Sequence, residues 1–361
     1  MIDIINAHTE KYDNIVLLTG FLNPRETPLN EKVKVKMCKA YDRSTAISRF
    51  YSWLVFWLQS FFYVFFVYNK HKLYFVTNPP LNVFLANFTK RTFAFLVYDI
   101  YPEALSRYNY LKKDSFLYRF WQKKNFKVYS KAQKLFTISH SMRDAMLSSG
   151  IEQNRVDIIP VWSSSEFFQD IPCSNNLFLK QNNINNKFIV GYSGNLGKSQ
   201  PLEIIIQLAD LLKHQKDILF LILGEGEKKK TLLNSVKGLS LDNIRIMGYQ
   251  ETKLYPHVLA AFHVGVITSD AKASDLNVPS KIYNIMSAGK PVMGISSEHS
   301  ELAKLIREND IGQNFSLEDL EGMRSFVLKL KNNADFYFEK QSRSRKTSLK
   351  FTSKNAQKMI L

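Results

Sequence analysis

The stretch SDLNVPSKIYNIMSAGKPVMGIS, residues 274–296, places a hydroxyl and a cation where a polar loop meets the start of a predicted helix. A helix start presents unpaired backbone N–H groups and a partial positive charge, which together favour phosphate. Ser280 and Lys281 would add a hydroxyl group and an ammonium group. The same pattern also fits an ordinary helix–strand unit with Pro279 in its first turn. The stretch therefore predicts a phosphate site only if neighbouring loops support it.

Such loops follow three apolar, strand-like segments in the second half of the chain. They occupy residues 194–199, 224–226 and 248–250 and contain the pairs Gly194-Asn195, Gly224-Glu225 and Gly248-Tyr249. In an open parallel sheet, ligands bind beyond the carboxyl ends of the strands. With residues 277–281, these loops predict a nucleotide-sized site at one sheet edge.

The elements that must position these loops alternate between apolar strands and amphipathic helices, which predicts an α/β protein with parallel sheets covered by helices on both faces. The predicted strands are 14–20, 72–77, 92–99, 134–139, 156–161, 188–194, 218–224, 243–248, 264–269 and 291–296. A polar stretch follows the fifth of them. We therefore predict domains at 1–165 and 166–334, with a helical segment, 335–361, that returns to the first domain.

The composition bounds the class of protein. The 361 residues are 45% hydrophobic and 22% charged, which suits two globular domains. Two cysteines cannot build a disulfide framework, and the N-terminal residues do not read as a secretory signal, so we expect a cytoplasmic location. The net charge of +17 favours an anionic partner. Because zinc-binding, helix-turn-helix and RNA-binding signatures are missing from the sequence, we expect no nucleic acid.

Two stretches of the first domain indicate contact with lipid. Residues 51–68 are almost wholly apolar and aromatic, which fits a buried core helix, a helix at a membrane interface or, less well, a spanning helix. In residues 116–134, Arg119, Lys123, Lys127 and Lys131 recur every four positions and would share one helix face. That face is either solvated or in contact with anionic head groups. We expect peripheral binding to the inner face of the plasma membrane.

Six segments together resemble the glycosyltransferases of family 4, in particular bacterial enzymes of capsule, O-antigen and colanic-acid-type polysaccharide synthesis. They are YDIYPEAL (98–105), IIPVWSSSEFF (158–168), GYSGNLGKSQPLE (191–203), LGEGEKKKTL (223–232), IRIMGY (244–249) and VPSKIYNIMSAGKPV (278–292). The resemblance covers nearly the whole chain. It implies the GT-B fold: two Rossmann-like, doubly wound domains that face a cleft.

The sequence departs from the family pattern at several positions. Two family glutamates are replaced by Leu276 and Asn284, and Asn284 can still hydrogen-bond a ribose hydroxyl. Gln200 stands where a lysine is usual. Lys198 or Lys281 would therefore supply the positive charge that contacts the donor diphosphate. The family's first strand and glycine-rich loop are also missing, because the sequence opens inside what resembles the following helix.

The resemblance implies a retaining glycosyltransferase of the hexosyltransferase type. It would transfer a sugar from a nucleotide donor, most simply a UDP-sugar, to a lipid-linked saccharide in cell-surface polysaccharide biosynthesis. Asp99 is either a turn residue or the group that orients the acceptor hydroxyl. No Asp-x-Asp occurs in the sequence, so we expect neither a metal nor a cofactor. A nucleotide-sugar epimerase of the same fold and a non-catalytic homologue are the alternatives, which acceptor dependence and turnover would distinguish.

Overall fold

The computed structural model describes residues 1–22, 28–42, 44–107, 110–163, 170–198, 200–269 and 278–361. The chain forms two compact units, Met1–Pro160 with Ser353–Leu361 and Val161–Thr352. The division thus falls after Pro160, where the sequence suggested residue 165. The segment that joins the first unit begins at Ser353, where the sequence suggested residue 335.

In its described residues, the first unit has six parallel strands in two sheets. Strands β1 (Ile15–Thr19) and β2 (Val33–Met37) form one pair, and β3 (Leu73–Val76), β4 (Phe93–Val97), β5 (Lys134–Thr137) and β6 (Val156–Ile158) form a sheet in that order. Every residue of β4 is buried, as expected for a strand covered on both faces. The helices are α1 (Ile2–His8), α2 (Ala46–Phe62), α3 (Asn82–Ala86), α4 (Glu103–Arg107), α5 (Phe116–Tyr129) and α6 (His140–Ser148). A π-helical turn, Tyr63–Val67, continues α2.

The second unit is a six-stranded parallel sheet in the order β12-β11-β10-β7-β8-β9. Its strands are β7 (Phe188–Ser193), β8 (Ile218–Leu223), β9 (Ile244–Met247), β10 (Val264–Thr268), β11 (Val292–Ile295) and β12 (Gly312–Phe315). Its helices are α7 (Leu177–Gln181), α8 (Glu203–Leu211), α9 (Lys229–Gly238), α10 (Tyr255–Ala261), α11 (Lys281–Ser287), α12 (Glu301–Asn309), α13 (Leu320–Asn332) and α14 (Ala334–Ser348).

Helices cover both faces of this sheet. In β8, Phe220 and Ile222 enter one apolar cluster, whereas Leu219 and Leu221 enter the other. Successive side chains of a strand point to opposite faces, so a strand that is apolar throughout requires a core on each side. The second unit is therefore doubly wound, as the sequence predicted.

All ten predicted strands are confirmed, and the sequence analysis missed β2 and β12. Both missed strands lie at the edge of their sheets. Their sequences, VKVKM and GQNF, carry the lysines and polar residues that protect sheet edges from pairing, and they lack the apolar run that marked the buried strands.

Candidate active site

The candidate site lies where the strand order of the second sheet reverses. From β7 the chain adds β8 and β9 on one side, and then crosses to β10, β11 and β12 on the other. Such a reversal leaves a crevice at the carboxyl ends of the two central strands, which is where open α/β sheets bind ligands. The loops after β7 and β10 therefore border the expected binding position.

Lys281, the first residue of α11, makes the central contact of this site. Its Nζ donates to the phenol oxygen of Tyr192 at 3.2 Å and lies 4.9 Å from the centre of that ring. The Tyr192 hydroxyl in turn donates to the backbone oxygen of Asn195 at 2.9 Å. Tyr192 thus joins the helix that follows β10 to the loop that follows β7.

Burial changes the acidity of both side chains. It lowers the pKa of Lys281 to about 8, because the charged ammonium loses hydration. Burial, with a smaller effect of Tyr249, raises the pKa of Tyr192, which keeps the phenol protonated at neutral pH. An anion beside Lys281 would restore part of the favourable electrostatic environment that burial removes.

The neighbouring loops pack closely around two glycines. A Cβ on Gly194 would lie 1.7 Å from Lys281 Nζ, and one on Gly224 would lie 1.8 Å from the Gly194 oxygen. Gly224 also has a positive φ of 157°, which side chains rarely adopt. The glycines bring the ends of β7 and β8 and the amino end of α11 together.

Glu225, Gly248 and Tyr249 lie at the same sheet edge, after β8 and β9. Glu225 accepts a hydrogen bond from Lys229 Nζ at 2.6 Å, and a Cβ on Gly248 would lie 2.7 Å from Glu225 Oε1. The Tyr249 side chain is 62% exposed. This part of the edge therefore offers a carboxylate and a phenol to a ligand.

Ser280 and Asn284 flank Lys281. Ser280 is the N-cap residue of α11, but its hydroxyl makes no capping hydrogen bond. Asn284 donates to the hydroxyl of Tyr255 at 3.2 Å, so its amide oxygen is oriented by the helix α10. Both residues lie near the site. Leu276, at a family glutamate position, and two residues of the predicted loops, Ser199 and Asn277, fall outside the described residues.

The structure distinguishes the two candidate lysines. Lys198 pairs with Glu227 at 2.9 Å, and its side chain is 83% exposed, whereas Lys281 is packed against Tyr192 and Gly194. Gln200, at the position where a lysine is usual, accepts from Thr268 Oγ1 at 2.8 Å. The sequence analysis missed Tyr192 and Thr268, because each reads as part of an apolar strand.

Asp99 belongs to the first unit, where it follows β4. The hydroxyl oxygen of Thr77, which follows β3, accepts the backbone N–H groups of Tyr98 at 3.1 Å and Asp99 at 3.3 Å. The half-buried Asp99 side chain thus stands on a turn that is tied to the adjacent strand. Its carboxylate acts with burial, the larger effect, to raise the pKa of Tyr101.

The apolar stretch of the first unit has one buried and one exposed face. Ile47–Val67 is long and apolar enough to cross a membrane, yet only 17% of its most apolar window is buried. Ser52, Phe56, Ser60 and Val64 face inward, while a stripe of residues three or four positions apart faces outward: Ile47, Tyr51, Leu54, Leu58, Phe62 and Phe66. A buried core helix does not account for that outward stripe.

The basic residues of α5 are also exposed. Arg119, Lys123 and Lys127 lie on the exposed side of α5, whose buried side carries Trp121 and Asn125. Lys131, which was predicted to continue this stripe, follows the end of the helix at Tyr129 and is also exposed.

Comparison of the folds identifies the class: the chain has the GT-B fold. It matches HepE of Anabaena bound to UDP-glucose with a TM-score of 0.74, at 14% identity and over 99% of this chain and 92% of HepE. It matches WaaG, a glycosyltransferase involved in lipopolysaccharide biosynthesis, with a TM-score of 0.70, at 13% identity and over 99% of this chain and 94% of WaaG.

Sequence comparison leads to the same class. Residues 174–341 match the family of Glycosyl transferases group 1. The chain is 28% identical to the probable glycosyltransferase WbjE of Pseudomonas aeruginosa over 66% of its length, and 30% identical to the putative colanic acid biosynthesis glycosyl transferase WcaI of Escherichia coli K12 over 47%. The matched parts span 60% of WbjE and 42% of WcaI. These matches support a glycosyltransferase.

Proposed function

We propose that the protein is a retaining glycosyltransferase of family 4 that takes a hexose from a UDP-sugar bound at the carboxyl edge of the second sheet. The observation that carries the proposal is the contact of Lys281 with Tyr192 beside Gly194 at the strand reversal. There, a buried ammonium group and the backbone of glycine loops meet in the crevice where open α/β sheets bind ligands. The complexes of HepE with UDP-glucose support the choice of donor.

In this reaction the bond between the sugar and the diphosphate breaks, and negative charge develops on the leaving diphosphate. Lys281 stabilises that charge as an ammonium ion, and its neighbours hold it in place before the reaction begins. Ser280 lies beside the phosphates, and Asn284, Glu225 and Tyr249 contact the rest of the donor. Because a cation and backbone N–H groups provide the stabilisation, transfer needs no divalent metal ion.

The acceptor is a lipid-linked saccharide of cell-surface polysaccharide biosynthesis, and Asp99 orients its hydroxyl group. The name of WcaI, a putative colanic acid biosynthesis glycosyl transferase, supports a role in polysaccharide assembly. The exposed apolar stripe of α2 and the basic residues of α5 support contact of the first unit with an anionic membrane. In this proposal the protein acts peripherally on the inner face of the plasma membrane.

Calorimetry with UDP and UDP-sugars tests the donor site. UDP should bind to the wild type, and Lys281→Gln should weaken binding by about tenfold or more, because a hydrogen bond to a charged group is lost. Lys198→Gln is the matched control, since Lys198 pairs with Glu227 away from Tyr192. Equal binding of UDP by the wild type and Lys281→Gln would overturn the assignment.

A further inference from the structure

A second cavity lies at the opposite edge of the same sheet. It has a volume of about 790 Å³ and is bordered by the residues that begin or precede three strands: Phe188 at β7, Asp217 before β8 and His263 before β10. Strand β7 separates it from the donor loops by roughly 20 Å, at about 3.3 Å for each of six residues. Its volume falls within the range of small-molecule sites.

The charged groups around this cavity are mostly cationic. Among the described residues, Lys180, Lys187 and Lys331 line it together with one carboxylate, Asp217, which Lys331 contacts at 2.7 Å. Because the Lys331–Asp217 pair is neutral, the net positive charge of the lining comes from Lys180 and Lys187. Asparagine side chains add donors and acceptors at Asn185, Asn186 and Asn332. Clustered lysines and amides suit an anion with several oxygen atoms.

The wall next to β7 is aromatic and includes a histidine with a defined hydrogen-bonding role. Phe188 and His263 have ring centres 4.9 Å apart. The Nδ1 atom of His263 accepts the backbone N–H of Ile189 at 3.0 Å. Burial, with a smaller effect of Lys290, lowers the pKa of His263 to about 4, so the neutral ring carries its proton on Nε2 and is a donor there.

We propose that this cavity binds a phosphorylated small molecule with a ring, either a sugar phosphate or a nucleoside monophosphate, separately from the donor site. Lys180 and Lys187 would contact the phosphate, and the ring would pack against Phe188 and the apolar residues Leu179 and Ile184. A free phosphate alone would fill only a small part of the volume. The proposal is independent of the reaction at Lys281.

Cys173 provides a direct test because it is exposed and lines the cavity, whereas Cys38 is buried. The rate of Cys173 alkylation by N-ethylmaleimide is measured by peptide mass spectrometry with glucose 1-phosphate, uridine monophosphate or inorganic phosphate. We expect protection by at least one of the two ring-bearing ligands and weaker protection by inorganic phosphate. Which of them protects at lower concentration identifies the source of the phosphate.

Variants locate the effect. The double variant Lys180→Gln, Lys187→Gln should raise the concentration for half-protection by about tenfold or more, since charged hydrogen bonds are lost. Lys216→Gln is the matched control, because Lys216 pairs with Asp242 and does not line the cavity. Lys281→Gln should leave protection unchanged. Absence of protection at millimolar ligand, or its loss in Lys281→Gln, would overturn the proposal.

Discussion

The ammonium group of Lys281 and the phenol oxygen of Tyr192 are 3.2 Å apart, although the two residues are 89 positions apart in the chain. The contact joins the start of α11 to the end of β7 across the reversal of strand order. It places a cation whose pKa is lowered to about 8 beside glycine loops.

Gly194→Ala should weaken UDP binding by about tenfold while it changes the free energy of unfolding by less than about 1 kcal/mol. The added methyl group would lie 1.7 Å from Lys281 Nζ, the mobile end of a long side chain, so the ammonium group moves and the fold remains. Gly238→Ala is the control, because no atom beyond its chain neighbours and the backbone of its own helix lies within 4 Å of the added Cβ. Calorimetry and urea unfolding measure both effects, and unchanged UDP binding by Gly194→Ala contradicts the prediction.

UDP affinity should fall as the pH rises through about 8, where Lys281 loses its proton. The lowered pKa means that the free protein carries the ammonium form below this pH and the neutral amine above it. Because UDP favours the charged form, binding should be accompanied by proton uptake near pH 8. Calorimetry in two buffers with different ionisation enthalpies measures this uptake, and Lys281→Gln should abolish it. Proton uptake that persists in Lys281→Gln would assign the titration to another group.

Sugar transfer should retain most of its rate in excess EDTA. Among the residues that the structure describes, no group of three or more His, Cys, Asp or Glu side chains could hold a metal ion. A radiolabelled UDP-sugar and a lipid-linked acceptor provide the assay. Loss of transfer in EDTA with recovery on addition of Mg²⁺ or Mn²⁺ would contradict the prediction. It would show that a metal ion stabilises the charge on the leaving diphosphate.

Binding to anionic vesicles should depend on the outward stripe of α2 and on the basic residues of α5. The triple variant Leu54→Ser, Leu58→Ser, Phe62→Ser should lose vesicle binding and keep its fold, since these side chains are 39%, 53% and 54% exposed. Trp53 and Trp57 are half-buried and less suitable for this test. Leu177→Ser, Leu233→Ser, Leu239→Ser is the matched control on the second unit, with exposed fractions of 47%, 43% and 47%.

A second set of variants tests the electrostatic contribution to vesicle binding. Arg119, Lys123, Lys127 and Lys131 are changed together to Gln. Each basic residue near an anionic surface contributes about 1 kcal/mol, so vesicle binding should fall sharply and become less sensitive to salt. Lys213, Lys230 and Lys237 on the second unit, which are exposed, provide a comparable charge change. Equal sedimentation of the wild type with neutral and anionic vesicles contradicts the electrostatic part.

The free energy of unfolding of the second unit should fall by about 2 kcal/mol between pH 7 and pH 5 because of His263, at 1.36 kcal/mol per pKa unit. Its pKa is lowered from 6.5 to about 4, so the unfolded chain binds the proton first and stability is lost as the pH falls through this range. His263→Asn keeps an acceptor for the Ile189 N–H but does not titrate. Urea unfolding at both pH values should therefore show a smaller pH dependence in the variant.

The sequence by itself determined ten of the twelve strands that the structure describes, and the doubly wound class of the second unit. Runs such as ILFLIL and FAFLV are stable only in a sheet covered on both faces. It also singled out the glycine loops after the strands and Lys281 at the start of α11, since glycine turns at strand ends and a cation at a helix start suit a phosphate. Polar edge strands left no such signal, and β2 and β12 were missed.

Only the tertiary structure showed that Lys198 and Lys281 differ in their surroundings, since Lys281 meets Tyr192 from another element whereas Lys198 pairs with Glu227. It also showed which side of α2 is exposed: the helix is apolar all round, so its periodicity carried no information about facing. The cavity before β7 could not be predicted from the sequence either, because its lining residues come from separate segments between Cys173 and Asn332. Long-range packing brings such residues together, and the spacing of residues along the chain does not indicate which of them will be in contact.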